Sequence, residues 1–238
     1  MRDRLATSIL LLFLGSNAVA QTIHRSPEVP RFMGREVVIT EPATDEDGFF
    51  PKGPASICIE GPPQEQCYTA PENFGGTPKA EFVQVEKDVA AVLFSADSGG
   101  VSGWGIHFAL LRPGNQKTLE DLFVSDTSVS NQSEHEFWAD STLSPAKIFV
   151  TANFVWGPDE AHYSPHRYTI SVYVLKHTRE IIDDSNYYLE DRYMTGRSYD
   201  SEKDHILASE RPEIIARLRR LKAGAKTDQA ARHKTAAH

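Results

Sequence analysis

The chain lacks any apolar run of the roughly 20 residues needed to span a bilayer. Its most apolar stretch is short (residues 8–14), follows Arg2 and Arg4, and precedes small residues at 18–20 that suit a cleavage site. This pattern predicts a signal peptide over residues 1–20, and a buried N-terminal helix is the alternative. We therefore expect an exported protein, periplasmic or extracellular, with no transmembrane segment in the mature chain.

Cysteine is scarce. The two cysteines, Cys58 and Cys67, lie nine positions apart and flank a Gly-Pro-Pro turn. Redox and metal-binding pairs usually show two-residue spacing, which these cysteines do not have. In an oxidising compartment, an even count at hairpin spacing predicts a disulfide bond between them.

Positive charge is sparse before the C-terminal end. Residues 21–215 contain 31 acidic and 16 basic residues, a net charge of −15, whereas residues 216–238 contain seven basic residues and one acidic residue. Such an acidic body would repel phosphate, so we expect no nucleic-acid partner. A protein, peptide or saccharide ligand is the expected partner. The basic end is either a solvated tail or a contact for an acidic surface.

Several catalytic motifs are missing. The sequence contains no Gly-x-Ser-x-Gly nucleophile motif and no His-Glu-x-x-His zinc motif. The glycine-rich segment 97–105 lacks the Gly-Lys-Ser/Thr ending of a phosphate-binding loop, so it predicts a hairpin connection carrying an aromatic residue. No repeat of fixed period is visible. We therefore expect no cofactor, apart from the divalent metal considered below.

The strongest pattern in the chain is a pair of strand-like runs within residues 147–177. Apolar residues alternate with the two-residue period of a strand in both runs, and a polar loop separates them. A long-looped β-hairpin at the centre of the sheet is the predicted structure. The residues sharing one face are Ile148, Val150, Ala152, Phe154 and Trp156 in the first run, and Tyr168, Ile170, Val172 and Val174 in the second.

The predicted fold class is mainly β, between all-β and α+β. We expect an antiparallel β-sandwich or half-barrel, with one C-terminal amphipathic helix (residues 209–222) laid across one face. A Pro-rich extended arm (21–55) precedes the globular domain (56–223), and a disordered basic tail (224–238) follows it.

The loop of the predicted hairpin carries the best candidate site: Asp159, Glu160, His162 and His166. Imidazole and carboxylate groups are the ligands that suit zinc and similar ions, so these residues are candidate metal or ligand contacts. A general acid/base pair such as Glu160 with His162 is an alternative. The third interpretation is a solvated loop whose histidines and arginine offset the nearby acids.

Aromatic residues near the predicted hairpin ends suggest a different kind of site. Trp104 and Trp156 lie beside glycines, and Tyr163 is near the second of them, so all three are candidate contacts for a sugar or peptide. Packing in the core is the alternative, because tryptophan is usually well buried. The acidic cluster at residues 45–48 lacks the ligand spacing of an EF-hand and predicts a solvated turn.

The sequence favours an exported, soluble, non-catalytic binding or interaction protein whose ligand it does not identify. One alternative is a metal-dependent or acid/base hydrolase that uses Glu160, His162 and His166. Another is a structural component of the cell envelope that is tethered by the basic tail. No catalytic residue is assigned.

Overall fold

The computed structural model describes residues 21–101, 103–114, 117–123, 127–144, 146–158, 160–161, 164–173, 175 and 191–235. The predicted signal peptide lies outside the described residues, and so do Asp159, His162, Tyr163 and Val174.

The described residues form three antiparallel sheets and one long helix, which confirms the predicted fold class. The first sheet contains β1 (Gln21–Arg25), β2 (Arg31–Phe32), β3 (Arg35–Pro42), β4 (Ser56–Glu60) and β5 (Gln66–Thr69), in the order β1-β3-β4-β5 with β2 paired to β3. The second contains β6 (Gly76–Glu86), β7 (Val89–Asp97), β8 (Gly105–Pro113), β9 (Leu119–Asp121) and β10 (Val129–Ser130), in the order β10-β8-β7-β6 with β9 paired to β8. The third contains β11 (Glu134–Trp138), β12 (Ile148–Val155), β13 (Arg167–Tyr173) and β14 (Asp191–Met194), in chain order, and α1 spans Ile206–Thr235.

Three apolar cores join these elements in layers. Ile39 of the first sheet and Phe94 of the second belong to one core, and Leu93 of the second sheet shares another with Phe149 of the third. The third core joins the opposite face of the third sheet to α1. The second sheet is therefore covered on both faces, which explains why β7 is almost continuously apolar.

The predicted hairpin is the central pair of the third sheet. Seven of the residues assigned to its shared face pack in the core beneath α1, so the predicted alternation is confirmed for them. The hairpin was predicted to lie at the centre of a single sheet, whereas the strands of the described residues are divided among three sheets. The seven residues are Ile148, Val150, Ala152, Phe154, Tyr168, Ile170 and Val172.

Residues 21–55 contribute more to the fold than an extended arm. They supply β1, β2 and β3, and Val37 and Ile39 of β3 are fully buried between the first and second sheets. The prolines that led us to predict an extended arm lie outside the strands or at the end of β3. They therefore do not interrupt the hydrogen bonds between β3 and β4. The division at residue 56 as a domain boundary stays a prediction.

The helix is longer than the sequence predicts. It begins at Ile206 rather than near Ser209 because the Glu134 carboxylate, from the distant strand β11, accepts hydrogen bonds from the Ile206 and Leu207 N–H groups. It continues past Gly224 to Thr235, so residues 224–235 are helical rather than disordered. A single glycine costs a helix only about 1 kcal/mol, and the alanines that surround it favour the helix.

Polar contacts fasten the helix to the third sheet. The Glu210 carboxylate accepts hydrogen bonds from the Tyr193 hydroxyl, at 2.9 Å, and from the Tyr199 hydroxyl. Burial is the main reason why the pKa of Tyr193 lies above its usual value. Arg217 donates to Asp191 of β14 through two nitrogens, at 2.6 and 3.2 Å. These contacts fix the helix along the face where Ile214 and Leu218 are buried.

The predicted disulfide is present. Cys58 and Cys67 face each other across β4 and β5, and the bond closes the turn between these strands. Replacing both cysteines with serine is expected to lower the free energy of unfolding by about 2.5 kcal/mol, because the unfolded chain regains the entropy of an open loop. Urea denaturation of the oxidised protein and the double variant measures this loss. Reduced wild-type protein is the control and should match the variant; a loss below about 1 kcal/mol would contradict the loop-closure account.

Candidate functional site

Three loops meet at one end of the first and second sheets and line an open groove of about 660 Å³. They are the β3–β4 loop (residues 43–55), the β5–β6 loop (70–75) and the β7–β8 loop (98–104). Together they supply aromatic, carboxylate, amide and hydroxyl groups to one surface. Among the described residues, the side chains that line the groove include Phe50, Val101, Trp104, Glu72, Asn73 and Ser98.

The β3–β4 loop presents its two phenylalanines on an ordered turn. One Asp45 carboxylate oxygen accepts hydrogen bonds from the Phe49 and Phe50 N–H groups, at 2.8 and 3.2 Å. The bond from the Phe50 N–H is the largest of the causes that hold the pKa of Asp45 below its usual value. Asp45 is thus the anchor of this turn. The phenylalanine side chains remain 49% and 55% exposed, respectively.

The β7–β8 loop lies against that turn at a distance only glycine permits. The Gly100 N–H donates to the Phe49 carbonyl oxygen at 2.8 Å. Gly99 has φ +66°, and a Cβ at this position would lie 2.3 Å from the same oxygen. The Gly99 N–H donates in turn to the Asp97 carboxylate at 2.9 Å. The two loops are therefore locked together by backbone contacts, which fixes the width of the groove.

A buried polar link lies behind the groove. His107 of β8 is 5% exposed, and its Nε2 is hydrogen-bonded to the Tyr68 hydroxyl at 2.8 Å. The ring of Phe74, from the β5–β6 loop, lies 5.4 Å from the His107 ring. This link joins the first sheet to the second beside the loops. The loops therefore extend from two sheets that are connected by a buried hydrogen bond, and binding loops are commonly carried on a packed scaffold of this kind.

The hairpin loop brings together two of its four predicted ligands. Glu160 Oε2 is 2.9 Å from His166 Nδ1 and also accepts a hydrogen bond from the Gly157 N–H at 2.6 Å. His166 is 1% exposed, and its backbone pairs with that of Tyr199 in both directions. Asp159 and His162 lie outside the described residues, so the predicted four-residue set is described only in part.

The His166 ring lies between aromatic rings rather than at a surface. Its centroid is 5.3 Å from that of Phe154 and 5.2 Å from that of Trp156. The Trp156 side chain is 53% exposed, so this predicted aromatic contact reaches solvent instead of packing in the core. Trp104 is partly buried at the groove, and Tyr163 lies outside the described residues. In this arrangement the Glu160–His166 pair holds the loop against the end of the sheet.

One further set of possible metal ligands occurs in the described part of the chain. Cys58, Glu65 and Cys67 bring three donor atoms within 4.8 Å of one another. The two sulfurs are joined in the disulfide, however, and metals bind the thiolate form of cysteine. This cluster therefore offers a metal only the Glu65 carboxylate.

The contact between Glu160 and His166 is expected to make the stability of the protein depend on pH. The Gly157 N–H and then His166 hold the pKa of Glu160 below its usual value of about 4.3. A carboxylate whose pKa is lower in the folded state than in the unfolded state stabilises the fold at pH values above its unfolded-state pKa. This stabilisation is lost as the pH falls through the folded-state pKa. We expect wild-type protein to lose more stability than Glu160→Gln between pH 5 and pH 3, as measured by urea denaturation. The exposed-residue variant Glu28→Gln should follow the wild type; if Glu160→Gln does so as well, the pairing does not stabilise the loop.

Comparisons with known proteins supply no relative from which a function could be transferred. Scans of protein-family models, curated proteins and solved structures each returned no significant match. No helix in the described ranges combines the length and the apolar character that crossing a membrane requires. The groove and the hairpin loop are thus the basis for a functional proposal.

Of the side chains that line the groove, only Trp104 is among the residues predicted from the sequence as candidate contacts. Phe50 lies beside the turn at residues 45–48, which the sequence predicts to be solvated, and Glu72 and Asn73 lie in a segment rich in glycine and proline. A signal was available, because two adjacent aromatic residues between Gly48 and Pro51 are unusual in a solvated turn. The proximity of Phe50 to Trp104 depends on how the first and second sheets pack together, which no local sequence pattern reveals.

Proposed function

We propose that the protein is an exported, non-catalytic binding protein and that the groove holds its ligand. The observation that carries this proposal is the groove itself, where Phe50 and Trp104 lie beside the polar groups of Glu72 and Asn73. Its volume of about 660 Å³ falls within the range of roughly 300–1,000 Å³ common for ligand sites. Apolar surface with a few polar groups is the usual composition of such sites.

Rigid loops also favour binding at this end of the molecule. The Asp45 turn and the contacts between Gly99, Gly100 and Phe49 hold the groove in place without a ligand. A preformed site loses less conformational entropy when it binds, which raises affinity. The His166 imidazole, in contrast, is buried and already paired with Glu160, so a substrate would reach it only if the hairpin loop opened. A hydrolase based on Glu160, His162 and His166 is the less favoured candidate.

Export is supported by the disulfide and by the signal-peptide pattern at residues 1–20. Disulfides persist in oxidising compartments such as a periplasm or the extracellular space. A binding protein in such a compartment meets small molecules, peptides and saccharides before they enter the cell. This setting suits a preformed groove with mixed aromatic and polar walls.

The proposal is tested by exposing the chain from Gln21 onward to an envelope extract and identifying retained compounds by native mass spectrometry. Trp104→Ala and Phe50→Ala should each reduce retention of the same compound at least about tenfold, since a stacked aromatic side chain often contributes more than 1 kcal/mol. Trp156→Ala is the control, because it removes an exposed tryptophan elsewhere. Retention that survives both groove substitutions but falls with Trp156→Ala would overturn the proposal.

A further inference from the structure

We propose that the ligand of the groove is a small organic cation carrying an alkylammonium group. This inference rests on the proposed binding function and names the chemistry of its ligand. It draws on three properties of the groove: its aromatic faces, the charge of its three loops, and its size.

The aromatic residues supply the surface that such a cation requires. Phe50 is 55% exposed, and its ring lies over the β7–β8 loop, with Cε1 3.6 Å from the position of a Cβ on Gly100. Trp104 lies at the other end of that loop and lines the same groove. The negative face of an aromatic ring attracts a cation, tryptophan most strongly, and quaternary ammonium ligands are commonly bound in this way.

The charge of the surrounding loops has the sign that a cation needs. Among the described residues that line the groove, none is basic, and the Glu72 carboxylate is solvent-exposed. Residues 21–215 carry a net charge of −15, so the electrostatic potential of the whole domain adds to the negative potential at the groove. The groove loops together with Asp97 contain five carboxylates and one ammonium group: Asp45, Glu46, Asp47, Glu72 and Asp97, with Lys52.

The size and construction of the groove favour a small molecule over a polypeptide. A volume of about 660 Å³ matches a ligand of metabolite size. Extended peptides usually bind by adding a strand to an open sheet edge, and this groove is built from three loops. The amide of Asn73 and the hydroxyl of Ser98 provide hydrogen-bonding groups for the uncharged part of such a ligand.

The test compares choline with 3,3-dimethylbutan-1-ol, a neutral molecule of nearly the same shape, by isothermal titration calorimetry of the chain from Gln21 onward. Spermidine serves as a second, primary-amine probe. We expect choline or spermidine to bind at least about tenfold more tightly than the neutral alcohol. Trp104→Ala should weaken that binding about tenfold. Glu72→Gln should weaken it about threefold. Glu28→Gln should leave it unchanged, because Glu28 is an exposed residue between β1 and β2, outside the three loops of the groove.

Added salt provides an independent readout. Raising sodium chloride from 0.05 to 0.5 M should weaken binding of the cation in wild-type protein more than in Glu72→Gln, because salt screens exposed charges. Failure of both choline and spermidine to bind more tightly than the neutral alcohol would overturn the inference. So would binding of an oligolysine peptide without binding of either small amine.

The failure of this inference is distinct from failure of the proposed function. If none of the cations binds, but a neutral oligosaccharide is retained in a Trp104-dependent manner, the groove is a binding site and the ligand class is wrong. If groove substitutions leave retention of every compound unchanged, the binding function itself is wrong.

Discussion

Replacing Gly99 with alanine is expected to abolish ligand binding in the groove and to lower the free energy of unfolding by about 2–3 kcal/mol. Alanine at φ +66° carries a backbone cost of roughly 1 kcal/mol. The added Cβ would also lie 2.3 Å from the Phe49 carbonyl oxygen. The β3–β4 loop must therefore move away, which breaks the hydrogen bond from the Gly100 N–H and displaces Phe50.

Gly103→Ala is the matched control for this substitution. Gly103 lies in the same loop with φ +72°, but a Cβ there would meet no atom within 4 Å. Its cost to stability should be confined to the backbone term of about 1 kcal/mol. Urea denaturation gives the stabilities, and titration with the groove ligand gives the affinities. Equal effects of the two substitutions would show that loop contact does not shape the groove.

Replacing Phe149 with alanine is expected to lower the free energy of unfolding by about 3–5 kcal/mol, the usual range for a buried phenylalanine. Phe149 is fully buried between the second and third sheets. Phenylalanine and tyrosine rings pack around it, so truncation leaves a cavity that the packed sheets cannot readily fill. Their centroids lie 4.8–5.7 Å from that of Phe149, and they belong to Phe108, Phe123, Phe137 and Tyr173.

Phe82→Ala gives the comparison for that result. Phe82 belongs to the edge strand β6 and is 57% exposed, so its loss should cost no more than about 1 kcal/mol. Chemical denaturation of both variants measures the difference. A cost below about 1 kcal/mol for Phe149→Ala would contradict the layered packing in which the second sheet is covered on both faces.

The sequence predicted the parts of the fold that have strong local periodicity. The alternating faces of β12 and β13 follow from the spacing of apolar residues alone. Two of the three strands within residues 21–55, β1 and β2, were missed because prolines and charged residues obscure a short alternation. Both pair with β3, whose Val37 and Ile39 pack against the second sheet, and tertiary contacts of this kind override local propensity.

The start of the helix is also set by a tertiary contact that the local sequence does not reveal. Glu134 caps Ile206 and Leu207 from 72 and 73 residues away, so no local signal marks the true first turn. Its end was misplaced for a different reason. Gly224 resembles a stop signal, but its unfavourable helix propensity is small beside the sum over the neighbouring residues.

The candidate sites also differ in how far the sequence predicts them. Proximity of Glu160 and His166 could be expected from their positions in one short loop, but the burial of His166 depends on Phe154, Trp156 and the strand segment at Tyr199. The groove needs three loops from two sheets. Only Trp104 stood out beforehand, because a tryptophan among glycines is conspicuous in the sequence.

The groove, rather than the hairpin loop, is the proposed ligand site. Amide chemical-shift mapping of ¹⁵N-labelled protein during titration with choline distinguishes the two locations. We expect saturable shifts confined to residues 43–55, 70–75 and 97–104, with Trp104 among the largest. Shifts centred instead on Glu160 and His166, with the three loops unchanged, would place the ligand at the hairpin loop and exclude the groove.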